Sequence, residues 1–159
     1  MSWRGSTTVS DRIFACLPYL FPLIEGLGFG KYLFRQFPIL KQTLVWQLPP
    51  LLMADYSIPF AELIILFALY FGVVRNENIS HFVRFNAMQA ILLYIVLILA
   101  GLILHILVPS IPIVFIIETI SNMIFLGIVA AVGYAVVQSA LGRYAEIPTI
   151  SDAVYMQVR

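Results

Sequence analysis

The chain has 159 residues, of which 62% are hydrophobic and only 11% charged, with a formal net charge of +1. A globular domain needs about a quarter of its residues charged, so a soluble fold is excluded and much of this surface must face lipid. The near-balanced charge offers no basic footprint for nucleic acid, and the single cysteine, Cys16, excludes an internal disulfide framework and a cysteine-based metal site.

Mean hydropathy is +0.98. The first twelve residues, M-S-W-R-G-S-T-T-V-S-D-R, lack both the cationic start with short apolar core of a secretory signal and the long Ser- and Arg-rich presequence of an imported organellar protein. The expectation is a polytopic protein made in a bacterium or inside an organelle. A membrane-crossing helix needs about 20 mostly apolar residues. Four segments meet or approach that length, 13–32, 58–74, 83–108 and 112–141, within one membrane domain with polar tails at 1–12 and 142–159. The predicted fold class is therefore all-α, a polytopic membrane protein with four transmembrane helices.

In the first span Pro18 and Pro22 each remove a backbone donor, which predicts a kinked helix leaning on its neighbours. Gly26, Gly28 and Gly30 follow in G-L-G-F-G-K, without the spacing or preceding strand of a nucleotide-binding loop, and read as a loosened helix end. Between the first two spans, Phe37, Leu40, Leu44 and Leu48 recur at helical spacing after Pro38, a first-turn proline. Residues 35–56 are predicted to form an interfacial amphipathic helix, with Trp46 and Tyr56 at headgroup depth. Ser57 is the expected cap of the second span, with Pro59 in its first turn. The short polar turn 75–80 makes the second and third spans antiparallel neighbours, and V-P-S-I-P makes a tight apolar turn to the fourth. Gly127, Ala131, Ala135 and Ser139 recur every four residues as a helix-packing face, within the chain or between copies. Gly142 suits a helix end, and Ser151 the cap of a short terminal helix.

Lys and Arg distribution sets orientation. Four spans put both termini and the 75–80 turn on one side with Arg4, Arg12, Arg75, Arg84, Arg143 and Arg159, against Lys31, Arg35 and Lys41 on the other. Both termini are expected on the cytoplasmic side or its organellar equivalent.

Polar groups inside spans are costly and ask for a reason. Glu25, Glu62, His105 and Glu118 all fall in the outer half, with Glu62 about 6 Å and Glu118 about 9 Å inside the outer boundary. Arg84, Asn86 and Gln89 lie at the inner mouth of the third span. These seven are the candidate client- or partner-binding residues. The outer carboxylates either pair near the headgroups with His105 or Lys31, or line a polar vestibule. Catalytic chemistry is poorly served: His81 and His105 are more than about 30 Å apart by helix rise, and no nucleophile elbow, zinc-protease helix or paired-cysteine motif is present. No enzyme activity, metal or cofactor is expected.

Three stretches, D-R-I-F-A-C-L-P-Y-L-F-P-L-I-E-G at 11–26, V-R-F-N-A-M-Q-A-I-L-L at 83–93 and Y-A-E-I-P-T-I-S-D-A-V at 144–154, resemble the Tic20 family of the protein translocon at the chloroplast inner envelope and its cyanobacterial relatives. The resemblance implies a four-helix membrane protein with both termini on the stromal or cytoplasmic side, acting in preprotein passage as a channel-forming or core subunit. It implies translocon subunits and precursor polypeptides as partners, in a homo- or hetero-oligomer within the bilayer. Tyr94 departs from the acidic residue expected in many relatives. The alternatives are a small-solute or ion transporter or channel and a membrane assembly scaffold; the absence of an internal repeat speaks against the transporter.

Overall fold

The computed structural model describes residues 6–45 and 60–158, and among them every regular element is helical. Among the described residues three helices are long and apolar enough to cross a membrane: α1 (Val9–Gln36), α4 (His81–Leu107) and α5 (Val114–Ala140). Three are shorter: α2 (Pro38–Val45), α3 (Ala61–Val74) and α6 (Ile150–Gln157). The expected second span starts before the described residues. What is described of it, α3, is about 21 Å long by helix rise.

α1 begins in a reciprocal cap. Asp11 N–H donates to Thr8 Oγ1 at 3.2 Å, and Thr8 N–H donates back to the Asp11 carboxylate at 3.0 Å. The prolines do not break the helix. It tightens into a 3₁₀ turn at Leu17–Tyr19, again at Gly28–Gly30, and runs on to Gln36. The glycine triplet is therefore not a helix end. Its first member permits contact with α5: a methyl group on Gly26 would stand 2.5 Å from Ile128 Cγ2. Gly30 is as closely covered, by Phe34 and Phe125, whose rings meet edge to face at 5.2 Å.

α1 lies between α4 and α5 and packs along both, while α4 and α5 touch each other sparingly. The main core forms along this line from Tyr19, Phe29, Leu93, Leu97, Phe125, Ile128 and Val132. A second cluster closes one end, where Val74 of α3, Phe85 and Met88 of α4, and Val154 and Val158 of the tail meet. Away from these contacts the surface is apolar. Leu102, Ile103 and Ile106 on α4, Phe115 and Leu126 on α5, and Ile64 and Phe67 on α3 are all exposed. A contiguous surface of this kind needs lipid or protein against it.

α3 ends in a π turn over Tyr70–Val74, in which Arg75 N–H reaches Tyr70 O at 3.0 Å. α5 ends where Gly142 was expected to stop it: Gly142 has φ +73°, its N–H reaches Ser139 O, and Arg143 N–H reaches Gln138 O, the paired bonds of a glycine C-terminal cap. The tail helix is capped differently from expectation. Thr149, at φ 70°, precedes it, and Ser151 lies buried inside its first turn. α2 starts at Pro38 as expected. Leu44 packs toward the core, whereas Phe37 and Ile39 are exposed. Leu48, Trp46, Tyr56, Ser57 and Pro59 lie outside the described residues.

Candidate functional site: a buried polar network and an acidic cleft

The polar entry of α4 is an internal junction. Asn86 and Gln89 are 0% exposed. The Asn86 carbonyl oxygen accepts from Tyr19 OH at 2.8 Å and from Ser139 Oγ at 2.9 Å, while its amide donates to Phe82 O at 2.9 Å. The Gln89 amide donates to Tyr19 OH at 2.8 Å and to Ala145 O at 2.7 Å. Five groups thus tie α1, α4, α5 and the segment after α5 together where no water competes, which strengthens each bond. Gln89 Oε1 is a buried acceptor without a donor. A client reaching either amide would have to displace Tyr19, Ser139 or the Ala145 carbonyl.

Around this network one end of the molecule is sewn shut. Ser80 Oγ donates to Asp11 at 2.9 Å and accepts from Val83 N–H, linking the starts of α1 and α4. Arg84 Nε donates to Val74 O at 2.8 Å, binding a carbonyl of the π turn. His81 Nδ1 lies 2.9 Å from Tyr144 OH, and Phe82 and Phe85 meet the Tyr144 ring at 5.2 and 5.0 Å. Thr8, the 75–80 turn and the C-terminal segment therefore share one end. Arg84, Asn86 and Gln89 serve three different neighbours.

The carboxylates divide. Glu25 and Glu62 line one cleft between α1, α3 and α4, walled by Pro18, Phe21, Ile65, Leu66, Ile91 and Tyr94, with no cation among its described lining residues. Glu25 is half-buried and Glu62 exposed. Glu118 is half-buried on α5, away from that cleft, and His105 is exposed near the end of α4. Lys31 does not pair with Glu25; its Nζ stands over the Tyr32 ring, 4.9 Å from the centroid. Asn122, one turn from Glu118, has a buried Oδ1 without a donor.

The packing stripe divides too. Ala135 and Ser139 are 0% exposed inside the chain, Ala131 is half-buried and Gly127 is open, with nothing within 4 Å of where its Cβ would be. Tyr19 and the Ala145 carbonyl are the network members that reading the sequence missed. A hydroxyl inside an apolar span signals that Tyr19 has a partner; nothing local signals Ala145. Among the described residues no group of three or more His, Cys, Asp or Glu is placed to hold a metal ion.

Among the described residues, three long apolar helices, an apolar exterior and a buried polar junction mark a helical membrane protein. The family model described as chloroplast import apparatus Tic20-like matches residues 9–154. A Tic20 family protein of Synechocystis is 52% identical over 100% of this chain and 99% of its own length. The Tic20 family protein Ycf60 of Porphyra purpurea is 37% identical over 98% of this chain and 79% of its own. Protein TIC 20-II, chloroplastic, of Arabidopsis thaliana is 34% identical over 96% and 74%. The chain belongs to the Tic20 family.

Proposed function

We propose that this protein is a non-enzymatic membrane component of a protein-import apparatus, a preprotein-conducting channel or core subunit that binds polypeptide transiently. In this reading residues 1–159 form one membrane domain. Four spans at 13–32, 58–74, 83–108 and 112–141 cross a cyanobacterial membrane or plastid inner envelope, residues 35–56 lie in the interface, and both termini face the cytoplasm or stroma. The six-to-three split of Lys and Arg supports that orientation. Family membership supports the import role.

The observation that carries a polypeptide-binding role is the cleft between α1, α3 and α4. Its apolar walls suit side chains leaving water, and Glu25 and Glu62 face it with no cation in the described lining, so an incoming segment with a basic side chain meets complementary charge. Arg84, Asn86 and Gln89 act from within, by fixing the helices that wall the cleft. Glu118, half-buried on α5, and His105, exposed near the end of α4, are separate polar groups on the outer half that a partner subunit can meet. Four helices enclose little space, so a conduit for polypeptide requires further copies or partners, with Gly127 and Ala131 as the outward part of the packing stripe.

A photo-crosslinker at Ile65, in the cleft, is expected to capture an arrested precursor, while one at Ile103 on the exposed far half of α4 captures none. Adducts of equal yield at both positions, or none at Ile65 while precursor is engaged, would remove the cleft from the path.

A further inference from the structure

Beyond the cleft, the other end of α1 carries a cationic basin. Lys31, Arg35 and Lys41 converge there with Leu27, Gly28 and Phe34, and no carboxylate is among its described lining residues. Lys31 and Arg35 are one turn apart and flank the Tyr32 ring, at 4.9 and 6.0 Å from its centroid. Lys41 joins them from α2, which folds back after Phe37.

Depth decides what this basin meets. From Ile13 about 20 residues of helix cover a hydrocarbon core of roughly 30 Å, which brings Lys31 and Arg35 to headgroup level and leaves Leu27 and Gly28 among the acyl chains. Gly28 is exposed, with nothing within 4 Å of where its Cβ would stand, so the floor below the cations is a shallow trough. Phe34 is held in place by its edge-to-face contact with Phe125. The cations lie above the trough, and Leu27, Gly28 and Phe34 line it.

We propose that Lys31, Arg35 and Lys41 bind the phosphate of an anionic lipid whose acyl chain lies in the trough over Gly28. Three cations with no carboxylate among the described lining residues favour an anion, and only a lipid presents one directly above a hydrocarbon tail. The site rests on α1 crossing the bilayer and is independent of whether polypeptide enters the acidic cleft.

The full chain, purified in mild detergent, is mixed with equal phosphatidylglycerol and phosphatidylcholine, and the lipids retained are counted by native mass spectrometry. The wild type is expected to keep phosphatidylglycerol preferentially. Each of K31A, R35A and K41A is expected to lower that preference about fivefold, and the triple variant to abolish it. R75A/R143A removes two exposed arginines from the opposite end and is expected to leave the preference intact; an equal loss there would mean diffuse surface attraction and overturn the site. G28F, which fills the trough and leaves the cations, is expected to release the lipid. Excess glycerol phosphate is expected not to compete, and displacement of the lipid by it would identify a free-phosphate site instead. Unchanged retention in the triple variant would also overturn the proposal. Because the readout is lipid retention, its failure leaves the precursor-binding reading standing.

Discussion

At the level of single residues, Asn86 and Gln89 are neighbours in sequence with unequal burdens. Asn86 accepts two hydroxyl bonds, and an apolar replacement strands both Tyr19 OH and Ser139 Oγ in a dry interior. Gln89 donates two bonds but carries a buried acceptor with no donor, so its removal also relieves a cost. Asn86→Leu is therefore expected to destabilise the protein by about 3 kcal/mol and Gln89→Leu by about half as much, since each stranded buried group costs about 1–3 kcal/mol. Denaturant unfolding in detergent micelles, followed by circular dichroism, would check the ranking. Equal losses would mean that the network does not distinguish its members. Gly142 makes a second test. At φ +73°, with Thr7 and Arg12 pressed against the position of a Cβ, Gly142→Ala adds a strained backbone and a steric overlap and is expected to cost about 2 kcal/mol. The same substitution at Gly133, where a Cβ meets nothing within 4 Å, is expected to be near neutral in the same unfolding measurement. The sequence marks the three α4 polar residues as unusual but not their roles. Tyr19 and Asn86 are 67 residues apart and become partners only through helix packing.

Among the elements, α1 decides the arrangement because it is packed from both sides. Its contact with α5 turns on Gly26 against Ile128. Gly26→Val is expected to push the two helices apart and lower stability by about 1–3 kcal/mol, as overpacking does, and Ile128→Ala introduced with it is expected to recover part of that loss. A double-mutant cycle on the unfolding free energies measures the coupling; strict additivity would show that the two residues do not share the contact. Element existence was largely legible in the sequence. The bounds of α4 and α5 fall within two residues of the spans expected at 83–108 and 112–141, because the need to satisfy backbone groups in lipid makes long apolar runs helical. Glycine was harder to read. Gly142 ends a helix and Gly26 does not, and the difference lies in what each residue touches, which no local pattern contains.

Across the whole molecule the two ends are built differently. One end gathers Thr8, Ser80, Arg84, Tyr144 and the tail into hydrogen-bonded contact. At the other, the far half of α4 is exposed along Leu102, Ile103 and Ile106. α6 belongs to the closed end, where Val154 and Val158 are fully or nearly fully buried against Val74, Phe85 and Met88. Deleting residues 149–159 is expected to expose that cluster and lower the melting temperature by roughly 10 °C, on the order of the 3–5 kcal/mol lost when large core side chains lose their packing. Amide hydrogen exchange is expected to rise first over 81–91; faster exchange confined to 98–107 would show that the tail stabilises the wrong end.

The Ala145 carbonyl carries a consequence for biosynthesis. A chain made from its N-terminus brings Tyr19 into reach before Asn86 and Gln89, then Ser139, and Ala145 last of all. Until Ala145 is made, α4 already needs its bilayer place and Gln89 lacks one acceptor. Completion of the junction thus waits for Ala145, and a chain arrested before it carries an incomplete polar seam.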